Sequence, residues 1–444
     1  MEVTRTLARY IVNSRREDIP ADVRHEAARA LLNMVGCAIG SSRHETIENT
    51  LAALSDFSGA PQAAVFGRRE RMDILNASLV NGISSHVFDF DDTHVRATHP
   101  TAPVYPAVLA LAEWRKFSGA DLVHAFVLGV EAECRVALSV FPEHYDIGWH
   151  ITGTAGVFGA AAAAGKLLGL NEQQMTWALG IAATQSSGLR EMFGTMCKSL
   201  HPGAAARNGL TAALLASRNF TSSNQGIEAP CGFAHVTSTK FDASIITDGL
   251  GEHFELMNNM YKPFACGLAV HAAIDACLQL RKEHAFRPED IEKVELTICP
   301  IVLKLTAKEK PQTGLEGKFS IYHAAAVSLV HGAAGEAQFS DACVQDPLVI
   351  AVRDRITLNP DPGLTRLKAV VKVVLKGGKV VSCRVEDALG TLARPMSDAD
   401  IEQKFRALAD GILSKTQCDE FIRLCWAVES LPDAGAIGRA AAPA

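Results

Sequence analysis

The segment DFDDTHVRATHP, residues 89–100, holds three aspartates, two histidines and an arginine within twelve positions. The aspartates fit the D-x-D-x-T pattern of phosphohydrolases, in which one carboxylate attacks phosphorus and the next acts as a general acid. That chemistry requires the motif at the carboxyl end of a strand in a parallel sheet. The preceding residues, NASLVNGISSHVF, instead have the pattern of a helix. The sequence therefore disfavours phosphoryl transfer.

A divalent cation is the second ligand that this segment could serve. Carboxylate and imidazole groups are common metal ligands, and here they come from Asp89, Asp91, Asp92, His94 and His99. The chain has no HExxH, no DxDxDG loop and no DDxxD followed by a second acidic helix motif, however. A structural alternative also stays open, in which the aspartates cap a helix end and Thr93 fixes the turn. We expect a site without a metal.

Basic and phenolic groups recur in three other segments that lead into helices. Tyr145 and His150 lie in HYDIGWHITGTAG, Lys198 and His201 in GTMCKSLHPGAAARNG, and Lys262 in YKPFACG. Helix N-termini offer free N–H groups and a favourable potential for anions. If these segments converge, they form a cationic pocket for a small polycarboxylate.

The elements that must position these groups are mainly helices. Helical spacing with Ala- and Gly-rich faces recurs over the first 265 or so residues, and small residues let helix axes approach closely. After Lys262 the pattern changes, because IEKVELTICP and LKAVVKVVLKGGKVVSCRVEDA alternate like strands and Gly377-Gly378 indicates a hairpin. A helix capped by Ser397 then follows, and the tail from residue 433 is expected to be loosely ordered.

These patterns predict a mainly α fold with two domains. A large helical domain comprises residues 1–267 and 401–444, and a smaller α+β domain comprises residues 268–400. The chain of 444 residues is 48% hydrophobic and has a formal net charge of −6. This composition supports a large core, and the lack of a basic run argues against nucleic acid as a partner.

Localisation follows from the cysteines and from the charge pattern. Eleven cysteines are scattered without a CxxC pair, as expected for reduced thiols. The N-terminal residues carry charges throughout, unlike a signal peptide, and the low-charge run ITGTAGVFGAAAAAG favours a buried helix over a membrane span. We expect a cytoplasmic protein with no membrane partner.

Four motifs in register resemble the MmgE/PrpD family over nearly the whole chain. They are DFDDT…ATHP, GWHITGTAGVFGAAAAAGKLLGL, GLREMFGTMCKSLHPGAAARNGLTAALLA and YKPFACGLAVHAAIDA. The resemblance implies a homodimer in which the α+β domain is a lid on the helical domain. It also implies chemistry at the domain interface without metal or cofactor. The family includes 2-methylcitrate dehydratase, cis-aconitate decarboxylase and iminodisuccinate epimerase.

The resemblance also assigns active-site positions and shows two departures. The family's positions match Asp89, Thr93, His99, His150, Lys198 and Lys262. Many members have DTWHPATHP where this chain has DTHVRATHP, which introduces Arg96. Many have a tyrosine where this chain has His323, with Tyr322 displaced by one position.

All of these activities form a carbanion beside a carboxylate, which requires a positioned base and cationic groups. We predict Lys198 as the base, with a pKa lowered by burial and neighbouring positive groups. Asp89 is expected to orient a histidine, and Tyr145 to act on the opposite face of the carbon. His99 completes the catalytic set.

The predicted substrate is a polycarboxylate. Arg96 adds positive charge that suits four carboxylates, so the sequence favours a cofactor-independent epimerase of iminodisuccinate. A 2-methylcitrate dehydratase-type lyase or cis-aconitate decarboxylase, acting on a tricarboxylate, is the alternative. The non-enzymatic alternative is a helical dimer that only binds an anionic metabolite.

Overall fold

The computed structural model describes residues 2–96 and 98–444. The helices, in chain order, are α1 Val3–Asn13, α2 Ala21–Gly40, α3 Glu45–Leu54, α4 Ile74–Val87, α5 Thr101–Trp114, α6 Gly119–Ser139, α7 Glu143–Asp146, α8 Ile151–Leu167, α9 Glu172–Thr184, α10 Cys197–Ser217, α11 Phe233–Thr237, α12 Ser244–Thr247, α13 His271–His284, α14 Pro300–Thr306, α15 Gly314–Gly317, α16 Ile321–His331, α17 Asp341–Val344, α18 Pro347–Arg353, α19 Asp398–Ala409, α20 Lys415–Trp426 and α21 Gly435–Ala440. The strands are β1 Ala63–Ala64, β2 Arg71–Met72, β3 Thr93–His94, β4 Asn259–Met260, β5 Ile291–Ile298, β6 Ile356–Pro360, β7 Ala369–Leu375 and β8 Val380–Val385. The protein is mainly α, as the sequence predicts.

Small residues bring α4, α8 and α10 into backbone contact at the centre of the helical part. Helix α10 packs against both α8 and α4. A Cβ atom on Gly203 would lie 2.5 Å from the Leu79 carbonyl oxygen, and one on Gly82 would lie 2.7 Å from the Gly203 Cα. These two positions therefore require glycine. One turn away from this crossing lie His86 on α4 and Lys198 on α10.

The four-stranded sheet has the order β6-β5-β7-β8. Strand β5 pairs in parallel with β6 and antiparallel with β7, and β7 pairs antiparallel with β8. The β7–β8 turn contains Gly377 and Gly378 at φ 89° and 84°, which confirms the predicted hairpin. Helix α13 packs on β7 and β8, and α16 packs on α13. Buried Val371 and Val373 belong to the core beneath these helices.

The C-terminal helices return to the first part of the chain. Ser397 caps α19 by accepting a hydrogen bond from the Asp400 N–H, and α19 packs along α2. The two chain ends thus lie together, as the predicted division requires, while its boundaries at 267/268 and 400/401 stay a proposal.

The expectation of a loosely ordered tail is wrong. Helix α21 packs on α5 and buries Gly435 and Ile437, and the Gly67 N–H donates to the Ala441 carbonyl at 2.8 Å. Ala and Gly allow this close packing, although their low hydrophobicity gives little signal in the sequence.

Within the described residues, no helix combines the length and the apolar composition needed to cross a bilayer.

Candidate active site

The segment after α4 is held by three buried lysines from distant parts of the chain. Asp89 has a φ of 49°, an uncommon conformation for a residue with a side chain. Lys318 donates to the Phe88 carbonyl, Lys262 to the Asp89 carbonyl and Lys404 to the Phe90 carbonyl, at 2.9, 2.9 and 2.6 Å. Three consecutive carbonyl groups are therefore satisfied by ammonium groups, which stabilises the backbone turn that carries Asp89.

A short β pairing brings two of the predicted segments together. Thr93 pairs with Met260 and His94 with Asn259. This register places Lys262 beside the Asp89 turn, although the two residues are 173 positions apart.

A cavity of about 720 Å³ lies between the helices and residues from the α+β part of the chain. The α+β part contributes Leu268, Ile301, Leu305, Phe319 and Arg366 among others. Eight of the predicted site residues line the cavity, namely Asp89, Thr93, Arg96, Tyr145, His99, His150, Lys198 and Lys262.

The ninth predicted site residue, His323, is not brought to the cavity. Its ring is fully buried against Phe339, and its Nε2 lies 2.9 Å from the Gln338 carbonyl. The expectation rested on sequence position alone, and helix α16 turns this side chain into the core. Tyr322 also lies outside the cavity lining, and its hydroxyl lies 3.5 Å from Glu309. Neither residue therefore belongs to the site in this structure.

Lys198 is held at the cavity wall by two acceptors. Its Nζ lies 2.9 Å from Asp89 Oδ1 and 2.7 Å from His86 Nε2. Burial lowers the pKa of Lys198, and the nearby positive charge of Lys262 acts in the same direction, while Asp89 opposes both. A lowered pKa is what a lysine base requires near neutral pH.

The pKa of Lys262 shifts in the opposite direction, although its Nζ contacts the same Asp89 oxygen at 2.9 Å. Burial acts to lower its pKa, but Asp89 and Asp91 together outweigh burial, so the pKa of Lys262 is raised. Lys262 is therefore a fixed positive charge at this wall, and Asp89 stays ionised because both lysines hold its pKa well below the usual value.

His99 is oriented by Asp91 and by the backbone. Its Nδ1 lies 2.8 Å from the Asp92 carbonyl and 3.3 Å from Asp91 Oδ2. Both partners are acceptors, so Nδ1 carries a proton. The expectation that Asp89 orients a histidine is wrong: Asp91 does so, while Asp89 binds the two lysines.

His150 and His201 form a neutral pair at the start of α8 and along α10. Their Nδ1 atoms lie 2.7 Å apart, so one ring donates and the other accepts. Burial lowers the pKa of both, with Lys198 contributing, and that of His201 falls to about 4. His150 thus supplies polarity to the cavity, and the pair adds no second charge beside Lys198.

Tyr145 lines the cavity with its ring under a guanidinium. The Arg190 guanidinium carbon lies 4.1 Å from the ring centroid, and Arg190 also donates to the Tyr145 carbonyl at 2.8 Å. Burial raises the pKa of Tyr145. The phenol is thus protonated at rest.

Two arginines enter the cavity from opposite parts of the chain. Arg96 is exposed at the rim. Arg366, from the segment between β6 and β7, donates to the Val95 carbonyl 271 positions away. Sequence reasoning missed Arg366 because its segment, TRLK, has no motif and its position depends entirely on tertiary packing.

His86 and Asp91 are the other residues whose roles the sequence did not reveal. His86 is fully buried in the last turn of α4, and its Nδ1 lies 2.8 Å from Asp91 Oδ2. The sequence signal for this role is a histidine one helical turn after the small Gly82 and three residues before Asp89.

Four of these groups could also form a cation site. His86, Asp89, Asp91 and His99 offer ligand atoms within 4.8 Å of one another. The Asp89 oxygen already contacts two lysine amines, and positive charge at that distance opposes a second cation. The donor set therefore fits proton transfer better than metal binding.

Two domains of known proteins match this chain in order. The MmgE/PrpD N-terminal domain matches residues 5–246 and the MmgE/PrpD C-terminal domain matches residues 264–428.

Three relatives are named cis-aconitate decarboxylase. That of Mus musculus is 28% identical and covers 98% of this chain and 93% of its own. That of Homo sapiens is 29% identical, with 91% and 87% covered. That of Aspergillus terreus (strain NIH 2624 / FGSC A1156) is 27% identical, with 97% and 94% covered. The name describes each of these relatives as a decarboxylase, which is a lyase. With both domains matched in order, the chain belongs to the MmgE/PrpD family.

Proposed function

We infer that this protein is a lyase that needs no metal, acts on a small tricarboxylate, and uses Lys198 to transfer a proton at a carbon beside a carboxylate. The observation that carries this proposal is the placement of Lys198 Nζ, 2.9 Å from Asp89 and 2.7 Å from His86, at the wall of the cavity. Burial lowers the pKa of this amine and so favours its neutral form, which can accept a proton and return it.

The charges around the cavity favour an anionic ligand. Asp89 is paired with Lys198 and Lys262, while Arg96 and Arg366 add positive charge. Helices α5, α8 and α10 also begin beside the cavity, within two residues of His99, His150 and Lys198, and their N-termini carry positive potential. Carboxylates of the substrate would be bound by these groups.

Decarboxylation is the reaction best supported by the relatives' names. The carbon–carbon bond to one carboxylate breaks, CO₂ leaves, and the electron pair remains on the substrate carbon framework. Lys262 and the arginines stabilise the negative charge that develops there. The Lys198 ammonium, or His99 if it carries the proton, then protonates the carbon.

Epimerisation of iminodisuccinate is the second candidate. Tyr145 lies in the cavity as a protonated phenol, and His323, at the family's usual tyrosine position, lies outside it. An epimerase would remove the proton on one face with Lys198 and return one on the other face from Tyr145. The two arginines suit its four carboxylates.

A substrate panel separates these reactions. Purified protein is incubated with cis-aconitate, 2-methylcitrate and iminodisuccinate, and the products are followed by proton NMR. Loss of CO₂ from cis-aconitate supports the first candidate, formation of an alkene from 2-methylcitrate supports a dehydratase, and inversion without a new alkene supports the epimerase. Phosphate or cation dependence, or binding without turnover of any member, would contradict the proposal.

A further inference from the structure

The contacts of His86 determine which of its nitrogens carries the proton. Burial lowers the pKa of His86 to about 3, so the ring is neutral. Its Nδ1 lies 2.8 Å from Asp91 Oδ2, and this carboxylate is ionised because it accepts from two imidazoles, those of His86 and His99. A carboxylate only accepts, so the single proton of His86 resides on Nδ1.

Nε2 of His86 is consequently an uncharged acceptor. Lys198 Nζ lies 2.7 Å from it and must donate to it. Asp89 Oδ1, at 2.9 Å, accepts a second Lys198 N–H. Two of the three substituent directions of the amine are therefore fixed by acceptors, in either protonation state.

The third direction of Nζ is the one left for the cavity, which Lys198 lines. In the ammonium form an N–H occupies it. In the neutral form both N–H groups remain with His86 and Asp89, so the lone pair occupies it. Proton transfer at this position needs no rearrangement of the other two hydrogen bonds.

We propose that the His86–Asp91 pair is a positioning device that directs the reactive N–H or lone pair of Lys198 into the cavity. His86 does not line the main cavity and acts through Lys198. The pair keeps its own proton throughout: the C–H bond of the substrate forms as the Lys198 N–H breaks, or the reverse. In the opposite tautomer, Nε2 of His86 would carry the N–H. The Lys198 lone pair would then accept from this N–H and would point away from the substrate. The inference rests on the proposed role of Lys198.

The first test needs no substrate. In full-length protein labelled with ¹⁵N-histidine, His86 is assigned by its absence in His86→Gln. The expected signature is a neutral ring protonated at Nδ1 that does not titrate between about pH 5.5 and 9. An Nε2-protonated ring, or an imidazolium in this range, would overturn the proposal.

The second test compares two substitutions. His86→Gln retains an uncharged acceptor near the Nε2 position, whereas His86→Leu removes it. We expect His86→Gln to keep kcat within about tenfold, and His86→Leu to lose about 100-fold or more with little change in KM. The NMR titration midpoint of Lys198 should fall only in His86→Leu, because the ammonium loses a charge-assisted hydrogen bond.

His124→Gln is the matched control, since His124 is a buried neutral histidine that contacts Ser14 instead. Equal kinetics and equal Lys198 midpoints in the Gln and Leu variants would show a merely structural role. If His86→Leu does not fold, the kcat of His86→Gln and the ¹⁵N-histidine spectrum of the wild type still test the proposal. The spectra and the midpoint require no turnover, so an inactive substrate panel would defeat the proposed function, whereas the opposite His86 tautomer would defeat this inference alone.

Discussion

Lys198 and Lys262 contact the same oxygen of Asp89, and yet their proton affinities shift in opposite directions. Lys262 also donates to the Asp89 carbonyl, and the charges of Asp89 and Asp91 stabilise its ammonium form. Lys198 donates instead to the neutral His86, and the positive charge of Lys262 destabilises its ammonium form. Small differences in local charge thus separate a proton-transferring lysine from a charge-supplying one.

Replacing Lys262 with Met tests this coupling. Removing the positive neighbour should raise the pKa of Lys198, so the limb of the kcat–pH profile that reports Lys198 should move to higher pH. The measurement is kcat over a pH series, with the wild type run in parallel. A limb that stays in place, or moves to lower pH, would show that the two lysines are not coupled.

Arg366→Ala tests the contribution of the α+β part to substrate binding. A lost charge-assisted hydrogen bond corresponds to roughly 1.5–3 kcal/mol, so KM should rise by about tenfold or more. Arg384→Ala is the control, because Arg384 is exposed on β8 and pairs with Glu386. Equal KM values in the two variants would remove Arg366 from the binding site.

At the scale of elements, the site depends on how closely α4 and α10 approach. Gly82 and Gly203 allow backbone contact at the crossing, and His86 and Lys198 meet beside it at 2.7 Å. The Asp89 turn that follows α4 is then held by lysines from three separate segments.

A methyl group at this crossing should therefore impair both stability and activity. Gly203→Ala places a Cβ 2.5 Å from the Leu79 carbonyl oxygen, and such overpacking typically costs about 1–3 kcal/mol. Chemical denaturation measures the first effect and kcat the second. Gly59→Ala is the control, since its nearest contact would be an ordinary 3.7 Å. Unchanged kcat in Gly203→Ala would show that the crossing does not position Lys198.

The sequence predicted the helices, the hairpin at Gly377-Gly378 and eight residues of the cavity. Local periodicity and turn chemistry determine the first two. The motifs of the family supplied six of the cavity residues, whereas Arg96 came from a departure from those motifs and Tyr145 from its place in the segment before His150. The roles of Arg366 and of the three lysines on the Asp89 turn depend on contacts between residues far apart in the chain, for which one sequence carries no signal. His323 lies outside the cavity, contrary to the prediction, because a shared sequence position does not specify which way a helical side chain points.

At the scale of the whole molecule, the protein buries many neutral histidines. Burial lowers the pKa of six of them to about 3 or 4, namely His86, His124, His144, His201, His271 and His323. The homodimer implied by the family resemblance stays a prediction, which light scattering in solution can test.

These histidines predict acid sensitivity. In the unfolded chain they bind protons near pH 6.5, whereas in the folded chain they do so only near pH 3–4. The unfolded state thus binds more protons between these values, so stability is present above about pH 6.5 and is lost as the pH falls toward 4. The melting temperature should decrease steeply over this window. A melting temperature that is constant or rises on acidification would contradict the predicted neutral state.

Deuterium incorporation shows whether Lys198 transfers the proton at a substrate carbon. It is followed by NMR in D₂O, with chelator-treated wild type and Lys198→Met on each polycarboxylate of the panel. We expect the wild type to place solvent deuterium at a carbon beside a carboxylate without added metal, and Lys198→Met, while still folded, to be slower by about 100-fold or more. Full incorporation by Lys198→Met, or wild-type turnover only after a metal is restored, would contradict this role of Lys198.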